Sequence, residues 1–383
     1  MERFETVIIG GGQAGLATAY HLKRQGRPFL VLDAEERVGD AWRKRWDSLR
    51  LFTPAKYDGL PGLHFPAPRW SFPSKDEMGD YLEGYAARFE LPVRTGVYVD
   101  RVFRAGDRYV IESGLQRFEA DNVIVATGAH RVPRLPAFAS ELDPRITQVH
   151  SADYRNPAQL RDGGVLVVGV GNSGAEIAFE LSATHDVYQA GTPSAEIPVR
   201  HGSIASRFVL PVIRFVGTHV LSVRTPLGRK ARPRFLVMAT PLIRVKSKDL
   251  AAAGIERVSR VVGVRDGLPL LADGRGLDVA NVVWCTGFAH DFSWIDLPVP
   301  ADHGQPLHER GVASSSPGLY FVGLRFQYAP VSDALPGIGR DAAHVVRHLA
   351  SAARRSSKAV PAGEAGVTAR ADHAPVRPTT CST

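Results

Sequence analysis

Short apolar runs precede glycine-rich turns twice along this chain, and each turn leads into a segment with helical spacing of apolar positions. Residues 6–22 read TVIIGGGQAGLATAYHL, and residues 165–181 read VLVVGVGNSGAEIAFEL. A buried strand, a Gly-x-Gly-x-x-Gly turn and a helix together form a unit that binds a dinucleotide. The pattern therefore predicts an α/β fold with two dinucleotide-binding, Rossmann-like domains.

The first unit has glycines at all three positions of this turn. Gly10 permits the tight turn, Gly12 lets a pyrophosphate approach the backbone, and Gly15 lets the helix pack closely on the strand. The helix, which starts at about Ala14, offers its positive N-terminus to a diphosphate. The next strand, FLVLD, ends in Asp33, whose carboxylate is placed to accept hydrogen bonds from an adenosine ribose.

The second unit repeats the glycines as Gly169, Gly171 and Gly174, but it lacks the acid. Its next strand, HDVYQAGT, has Gln189 and Ala190 where the acid would stand. An acid there would repel the 2′-phosphate of NADP, so its absence permits that cofactor.

A 2′-phosphate also requires a positive partner, and the candidates are Arg200 and the basic run RTPLGRKARPR at residues 224–234. The alternative interpretation of this run is a solvated loop. Nucleic-acid binding is a third interpretation, which the lack of an aromatic-studded basic groove or a known motif disfavours.

Residues 351–383 add further positive charge, but they are rich in Ala, Pro, Ser and Thr without apolar periodicity. We expect this basic tail to be disordered.

The composition is that of a globular protein with two cores, since 44% of its 383 residues are hydrophobic and the net charge is +8. No apolar run approaches the roughly 20 residues of a membrane span, and the start MERFE does not resemble a signal peptide. The two cysteines, Cys285 and Cys381, form no Cys-x-x-Cys pair, disulfide framework or zinc cluster. We expect a cytoplasmic protein without metal, nucleic-acid or membrane partners, of unknown oligomeric state.

Two further stretches share an apolar strand followed by Thr-Gly: NVIVATGAH at 122–130 and NVVWCTGFAH at 281–290. Either one alone fits an unrelated sheet strand that ends in a turn, but their similarity suggests related roles in the two units.

Residues 73–89 predict a helix that begins with a capping box formed by Ser74 and Glu77.

These stretches, with GDAWRKRWDSLRLFTPAKYDGLPG, VHSADY and WCTGFAHDFSWI, resemble the class B flavin-dependent monooxygenases from residue 1 to about 350. The similarity is greatest to plant YUCCA-type enzymes and to a bacterial group of flavoprotein monooxygenases. The resemblance implies FAD in the first unit and NADPH in the second. It also implies that reduced flavin and O2 form a C4a-(hydro)peroxyflavin, which oxygenates a small substrate by N-, S- or 2-oxo-acid oxidation.

The resemblance implies a NAD(P)-binding domain that is inserted into the FAD-binding domain. The FAD domain is expected at residues 1–155 and 281–350, the NAD(P) domain at 156–280, and the tail at 351–383. Two rival functions stay open. One is an FAD-containing NAD(P)H reductase that passes electrons to a carrier, and the other is a non-enzymatic redox sensor or transport accessory.

The resemblance also completes the set of expected cofactor-binding residues. Val99 is expected to border the adenine, and Gly323 and Leu324 the ribityl end of the flavin. The full set is Gly10, Gly12, Gln13, Ala14, Gly15, Asp33, Trp42, Val99, Thr127, Gly128, Gly323 and Leu324 in the FAD domain, and Gly169, Gly171, Asn172, Ser173, Gly174, Thr192 and Arg200 in the NAD(P) domain.

Several positions depart from the family pattern or match it in part. Thr192 stands where related bacterial sequences have an Arg, so we expect only a modest preference for NADPH, with NADH also used. Thr53, counted from Trp42, stands where relatives have an Asn or Asp beside the flavin. It is the one catalytic candidate, as a positioning hydroxyl, and simple turn packing is the alternative. His150 and Tyr154 match the second half of the family fingerprint, and a structural interdomain hydrogen bond is the alternative role for His150.

Overall fold

Strands and helices alternate along most of the chain in the computed structural model, which describes residues 2–128, 132–192, 195–238 and 240–359. Within these ranges, the strands are β1 (Glu2–Ile9), β2 (Phe29–Leu32), β3 (Val93–Arg94), β4 (Arg101–Ala105), β5 (Arg108–Ser113), β6 (Gln116–Val125), β7 (Val132–Pro133), β8 (Thr147–His150), β9 (Val165–Val168), β10 (Val187–Ala190), β11 (Glu256–Val258), β12 (Val261–Arg265), β13 (Leu268–Leu271), β14 (Asn281–Trp284), β15 (Phe288–Ala289), β16 (Ala301–Asp302), β17 (Gln305–Pro306) and β18 (Leu319–Phe321). The α-helices are α1 (Gln13–Arg24), α2 (Asp40–Arg43), α3 (Lys75–Arg88), α4 (Asn172–Leu181), α5 (Ser206–Phe215), α6 (Pro226–Val237), α7 (Ser247–Ala252) and α8 (Leu335–Ala359). A π-helical turn, Val216–Val220, continues α5, and 3₁₀ turns lie at Ala55–Tyr57, Ala137–Glu141 and Pro157–Gln159.

The first sheet has the strand order β3-β2-β1-β6-β5-β4, and β18 pairs with β6. Strand β1 runs parallel to β2 and β6, whereas β4, β5 and β6 form an antiparallel meander. Both faces of β1 are covered, because Ile8 packs with the cluster that includes Leu16 of α1 and Val345 of α8, while Val7 and Ile9 pack on the opposite face. This double burial explains why β1 is apolar at every position from Val7 to Ile9.

The second sheet is parallel throughout, with the order β11-β10-β9-β14-β8. It corrects the expected domain boundaries, since β8 and β14 lie within the segments 1–155 and 281–350 that were assigned to the FAD domain. The sequence of a short apolar strand does not show which distant strand it pairs with. The predicted boundaries therefore assigned β8 and β14 to the wrong domain. The second domain is nevertheless inserted in the first, because β1 to β6 precede it and β18 and α8 follow it, which confirms the expected fold class.

Helix α3 begins as predicted from its sequence. The backbone N–H of Glu77 donates to Ser74 Oγ at 3.2 Å, and the Ser74 N–H donates to Glu77 Oε2 at 2.7 Å. This reciprocal pair satisfies two backbone donors that would otherwise have no partner at the start of the helix.

The basic run at 224–234 is largely helical, so its interpretation as a solvated loop is wrong. Thr225 caps α6 by accepting a hydrogen bond from the Gly228 N–H at 3.0 Å, and Pro226 occupies the first helical position. Both residue types favour a helix start, a signal that the dense basic charge obscured.

Helix α8 runs to Ala359, into the segment predicted as a disordered tail. The segment lacks apolar periodicity, but Ala, Arg and Lys favour the helix, and extending an existing helix requires no new nucleus. The rest of the predicted tail, 360–383, lies outside the described residues. In the part of the chain that the structure describes, the helices are too short or too polar to cross a bilayer.

Candidate functional site

The first glycine turn is closely packed at two of its glycines and open at the third. A Cβ on Gly10, whose φ is +108°, would lie 2.5 Å from the carbonyl oxygen of Ala126. A Cβ on Gly15 would lie 1.8 Å from the carbonyl oxygen of Gly10. A Cβ on Gly12 would meet no atom within 4 Å, so it would project into the space that a ligand can enter. The turn thus has the close packing and the open face of a diphosphate site.

The start of α1 adds hydrogen-bond donors to this open face. Its N-cap residue, Gly12, has no side chain to accept from the first N–H groups, and the first intrahelical bond runs from the Leu16 N–H to the Gly12 carbonyl at 2.9 Å. The preceding N–H groups and the positive end of the helix dipole favour an anion at this point.

Asp33 follows β2 directly and is buried beside the same turn. Its Oδ1 accepts a hydrogen bond from the Glu35 N–H at 3.0 Å, and a Cβ on Gly11 would lie 2.3 Å from its Oδ2. Burial raises the pKa of Asp33, while the N–H groups of Glu35 and Gly11 act against this rise. Because Gly11 has no side chain, the Asp33 carboxyl group can lie at the expected ribose position.

The second glycine turn repeats this geometry. A Cβ on Gly169, whose φ is +130°, would lie 2.3 Å from the carbonyl oxygen of Cys285, and one on Gly174 would lie 2.2 Å from the carbonyl oxygen of Gly169. A Cβ on Gly171 would again meet no atom within 4 Å. The chain therefore contains two turns with the same pattern of packed and open glycines.

The two Thr-Gly stretches lie at equivalent places beside these turns. Strand β6 ends with Val125 opposite Ile9, and β14 ends with Trp284 opposite Val168. Ala126 and Cys285 follow directly, which explains why each contacts the first glycine of its own unit. The structure thus supports related roles and not two unrelated strands. Of the first stretch, 129–131 lie outside the described residues.

A small cleft lies where β6 and β18 end. The positions predicted around it come together: Gly323, whose φ is +88°, approaches helix α1, since its Cβ would lie 3.2 Å from that of Ala14. His290 and Phe292, whose rings stack at 6.1 Å, also line the cleft and were not predicted. Their only sequence signal is their position after the second Thr-Gly. The cleft is lined by Val125, Thr127, Gly128, His290, Phe292, Val322, Gly323 and Leu324.

Three other predicted residues of the first domain have identified neighbours. Trp42 Nε1 donates to Gln13 Oε1 at 2.9 Å, which ties α2 to the first residue of α1. Val99 is buried in the core cluster that also contains Val97 and Leu32. The Val97 N–H donates to the Asp33 carbonyl at 2.8 Å, so this segment runs beside the end of β2.

The Thr53 hydroxyl donates a hydrogen bond to Oδ1 of Asp58, a carboxyl group with no solvent exposure. Among the described residues, Oδ2 of Asp58 has no hydrogen-bond partner. Burial raises the pKa of Asp58 to about 7, against the lowering effect of the Thr53 hydrogen bond. Asp58 was not identified from the sequence, because an Asp beside Gly in a loop is typical of an ordinary turn.

The strand register corrects the position of the missing acid. Val168 pairs with Ala190 as Ile9 pairs with Leu32, so the residue equivalent to Asp33 is Gly191 and not Gln189 or Ala190. The error arose because the sequence alone does not show where β10 begins. Gly191 has a φ of +141°, and its Cβ would lie 3.0 Å from the Val170 side chain. The second unit therefore still has no acid at the position equivalent to Asp33.

Gln189 instead links the second turn to a cation. Its Nε2 donates to the Gly169 carbonyl at 3.1 Å, and its Oε1 accepts from Arg257 Nη2 at 3.2 Å. Arg257 lies opposite Gln189 in the β10–β11 register. The sequence did not indicate Arg257, because its proximity arises from the lateral pairing of strands far apart in the chain.

The residues that were predicted near the 2′-phosphate lie in different surroundings. Thr192 and Arg200 are both exposed, and the Arg200 carbonyl accepts a hydrogen bond from Ser203 Oγ at 2.7 Å. Helix α6 contacts the first domain, since Arg232 pairs with Asp302 at 3.1 Å.

Asn172 and Ser173 occupy the first two positions of α4, beside the open face of Gly171. The Asn172 side chain holds the segment after α6 against the turn. Its Nδ2 donates to the Pro241 carbonyl at 3.0 Å, and its Oδ1 accepts from the Ile243 N–H at 3.0 Å.

Both ring nitrogens of His150 have backbone partners. Nδ1 accepts from the Ala152 N–H at 3.1 Å, so Nε2 carries the proton and donates to the Gly287 carbonyl at 3.1 Å. Burial lowers the pKa of His150, which favours this neutral form. Tyr154 is fully buried and donates to Glu180 Oε2 at 2.8 Å. These contacts support the structural role for His150.

The comparisons with known proteins agree with this geometry. Residues 7–207 match the pyridine nucleotide-disulphide oxidoreductase family. The chain is 36% identical to an uncharacterized oxidoreductase CzcO-like protein of Geobacillus kaustophilus, over 90% of this chain and 98% of that one. It is 36% identical to indole-3-pyruvate monooxygenase YUCCA1 of Oryza sativa, over 91% of this chain and 93% of that one. A flavin-containing monooxygenase from Stenotrophomonas maltophilia has a similar structure, with a TM-score of 0.70, 28% identity and coverage of 92% of this chain and all of that one.

The chain therefore belongs to the class B flavin-dependent monooxygenases within the pyridine nucleotide-disulphide oxidoreductase family. It is an NAD(P)H-dependent oxidoreductase whose cofactors are FAD and NADP. The residues fit both cofactors, because each unit has an open glycine face at the start of a helix without a side-chain cap.

Proposed function

We propose that this protein uses FAD, NAD(P)H and O2 to oxygenate a small organic substrate. When bound, the flavin accepts hydride from the nicotinamide and activates O2 for transfer of one oxygen atom. The observation that carries the proposal is the pair of equivalent glycine turns, each with an open face, in one chain. The expected route by way of a C4a-(hydro)peroxyflavin is part of the proposal.

The chain's own residues would hold and orient the cofactors. In the first unit, the Gly12 face and the start of α1 would bind the diphosphate, and Asp33 would accept hydrogen bonds from the ribose. The cleft lined by Thr127 and Leu324 would receive the remainder of the flavin nucleotide. In the second unit, the Gly171 face and the start of α4 would bind the nicotinamide dinucleotide.

Arg257 would supply the cation for a 2′-phosphate. Its guanidinium reaches Gln189, which in turn contacts the second turn, and the residue equivalent to the ribose-binding acid is a glycine. Arg257 is exposed, and its charge is one of the causes that lower the pKa of Glu196, so it acts on an anion in this region.

Thr53 would act as a positioning residue whose hydroxyl is oriented by Asp58. Because its pKa is near neutrality, the Asp58 carboxyl group can hold a proton at physiological pH. When it is ionised, it can accept a hydrogen bond from the Thr53 hydroxyl. The hydroxyl direction would therefore depend on the protonation of Asp58.

The candidate substrate classes are amines, sulfides and 2-oxo acids. The substrate named for the rice relative, indole-3-pyruvate, is a 2-oxo acid, which favours the last class.

A thiol–disulfide reductase is the less favourable alternative. Burial raises the pKa of the Cys285 thiol to about 12, so the reactive thiolate is scarce at neutral pH. The other cysteine, Cys381, lies outside the described residues and is far from Cys285 in sequence.

Anaerobic mixing with NADPH tests the arrangement of the two units. We expect the bound flavin to lose its oxidised absorbance, and we expect Gly171→Val to abolish this reduction while FAD content stays normal. Gly276→Val is the matched control, because that glycine also has open space around it but lies away from the turn. If NADPH does not reduce the flavin of the parent protein, the proposal is wrong.

A further inference from the structure

The outer face of α5 and of the π-helical turn after it is apolar. The side chains of Phe208 and Phe215 are 73% and 59% exposed, and they belong to an apolar stripe formed by Ile204, Phe208, Val212, Phe215 and Val216. These residues recur at the spacing of one helix face. Exposed apolar patches of this kind mark interaction sites in proteins that are otherwise soluble.

The same helix also carries two exposed basic residues, Arg207 and Arg214. The Arg207 guanidinium lies 5.9 Å from the ring centroid of Trp70, and that of Arg214 lies 5.0 Å from the ring centroid of Tyr57. A Cβ on Gly217 would contact Val331 at 3.9 Å. These contacts fix the rotation of the helix and turn the apolar stripe away from the protein. A helix on an ordinary protein surface has the opposite orientation.

The surroundings of the stripe are strongly basic. Residues 203–238 contain seven Lys or Arg residues and no Asp or Glu. On α6, Lys230 and Arg234 are exposed, and so are the apolar residues Leu227 and Val237. Apolar and basic groups are thus presented together by two adjacent segments.

The combination of exposed apolar and basic groups favours a membrane surface over a second copy of the chain as the partner. In a symmetric dimer, each copy would contribute the same surface, so basic groups would face basic groups without any acid in the segment to compensate. A bilayer with anionic lipids accepts the apolar stripe among its acyl chains and the basic groups at its headgroups. We propose that α5, its π-helical extension and α6 form a membrane-binding surface for bilayers that contain anionic lipids.

Such a helix lies in the plane of the bilayer surface and does not cross it, so the proposal concerns binding and not insertion as a span. It also places the bilayer next to a loop of the first domain. His201, just before the stripe, bonds to the Phe52 carbonyl at 3.0 Å and its ring lies 3.8 Å from that of Phe72. The membrane-binding surface is therefore coupled to the segment that carries Thr53.

Vesicle flotation of the full-length, FAD-containing protein tests the proposal. We expect the protein to float with vesicles of equal parts phosphatidylcholine and phosphatidylglycerol, and to stay in solution with phosphatidylcholine alone. Binding should weaken in high salt, because the basic groups contribute electrostatically. Failure to bind the anionic vesicles at low salt would overturn the proposal.

Matched variants identify the surface. Phe208→Ser with Phe215→Ser should weaken binding more than tenfold, and Lys230→Glu with Arg234→Glu by at least about 25-fold, from roughly fivefold for each positive charge removed. The controls are Leu115→Ser, which changes an exposed leucine in the β5–β6 turn, and Arg24→Glu with Arg88→Glu. All variants should retain FAD.

Two results would contradict the proposal even if the protein binds vesicles. Equal binding by the phenylalanine variant and the parent would show that the apolar stripe takes no part. A parent that is dimeric in solution by light scattering, with a monomeric phenylalanine variant, would show that the stripe binds a second copy of the chain.

Discussion

Arg257 Nη2 donates a hydrogen bond to Gln189 Oε1 at 3.2 Å, across two neighbouring parallel strands. Gln189 in turn donates to the carbonyl oxygen of Gly169, the first glycine of the second nucleotide turn. A positive charge is thus linked to the second glycine turn by way of Gln189, whereas the carboxyl group of Asp33 lies beside the first turn. The two units therefore share their backbone geometry and differ in the charge beside the glycine turn.

We predict that Arg257→Ala weakens NADPH binding about 10- to 100-fold and leaves NADH binding nearly unchanged. The reason is that a charge-assisted contact to the 2′-phosphate contributes roughly 1.5–3 kcal/mol. The measurement is the concentration dependence of anaerobic flavin reduction with each cofactor. Arg265→Ala, on β12, serves as the control. Equal losses for both cofactors would show that Arg257 acts on the fold of the site and not on the phosphate.

The exposed position of Thr192, two residues after β10, leads to a second prediction. Thr192→Arg should increase the preference for NADPH over NADH, mainly by tightening NADPH binding, since a guanidinium adds a bidentate cationic donor. The same reduction assay measures this. A parent protein that already discriminates strongly, with no gain in the variant, would indicate that Arg257 alone satisfies the phosphate.

Gly12→Val should yield a folded protein without FAD. The added side chain meets no protein atom near its Cβ, so folding is spared, but it projects into the diphosphate space. Absorbance of FAD per chain, together with circular dichroism, measures the outcome. Gly84→Val, at an exposed and open position of α3, should keep its FAD. Full FAD content in Gly12→Val would remove the basis for the first site.

Asp58→Asn should change how stability depends on pH. The carboxyl group has an ordinary pKa of 3.8 and a pKa of about 7 in the folded protein, so the stability it contributes is present below pH 3.8 and is lost as the pH rises to about 7. This interval corresponds to at most about 4 kcal/mol. The variant should therefore be more stable than the parent at pH 8, and equally stable at pH 4.

Urea unfolding at both pH values measures this difference, and Asp143→Asn provides a control of opposite sign. Arg145 lowers the pKa of the half-buried Asp143 to about 2, so its carboxylate stabilises the folded protein above pH 3.8, and Asp143→Asn should be less stable than the parent at both pH 4 and pH 8. If Asp58→Asn is no more stable than the parent at pH 8, Asp58 is not a buried acid with a raised pKa.

The parts of the site that were predictable from the sequence are those built from residues close together in the chain. Gly10, Gly12 and Gly15 lie within one turn and helix start, so their spacing alone implied the geometry that the structure shows. Arg257 could not be found in this way, because only the pairing of β10 with β11 brings it to Gln189. Asp58 acquires its unusual pKa from burial, which the local sequence does not reveal.

The same distinction applies to the fold. The two repeated local patterns predicted two dinucleotide-binding units, and the family resemblance implied the inserted order of the domains, whereas the membership of β8 and β14 in the second sheet depended on partners distant in sequence. Helix α6 was not predicted, although Thr225 and Pro226 mark its start, because its dense basic charge is also typical of a solvated loop or a ligand-binding segment.

Rapid mixing of the NADPH-reduced protein with O2 tests the monooxygenase function most directly. We predict that a transient species, spectrally distinct from both reduced and oxidised flavin, forms before oxidised flavin returns. Direct return of the reduced flavin to its oxidised form, with no such species at any O2 concentration, would contradict the monooxygenase proposal and favour a reductase that passes electrons to a carrier.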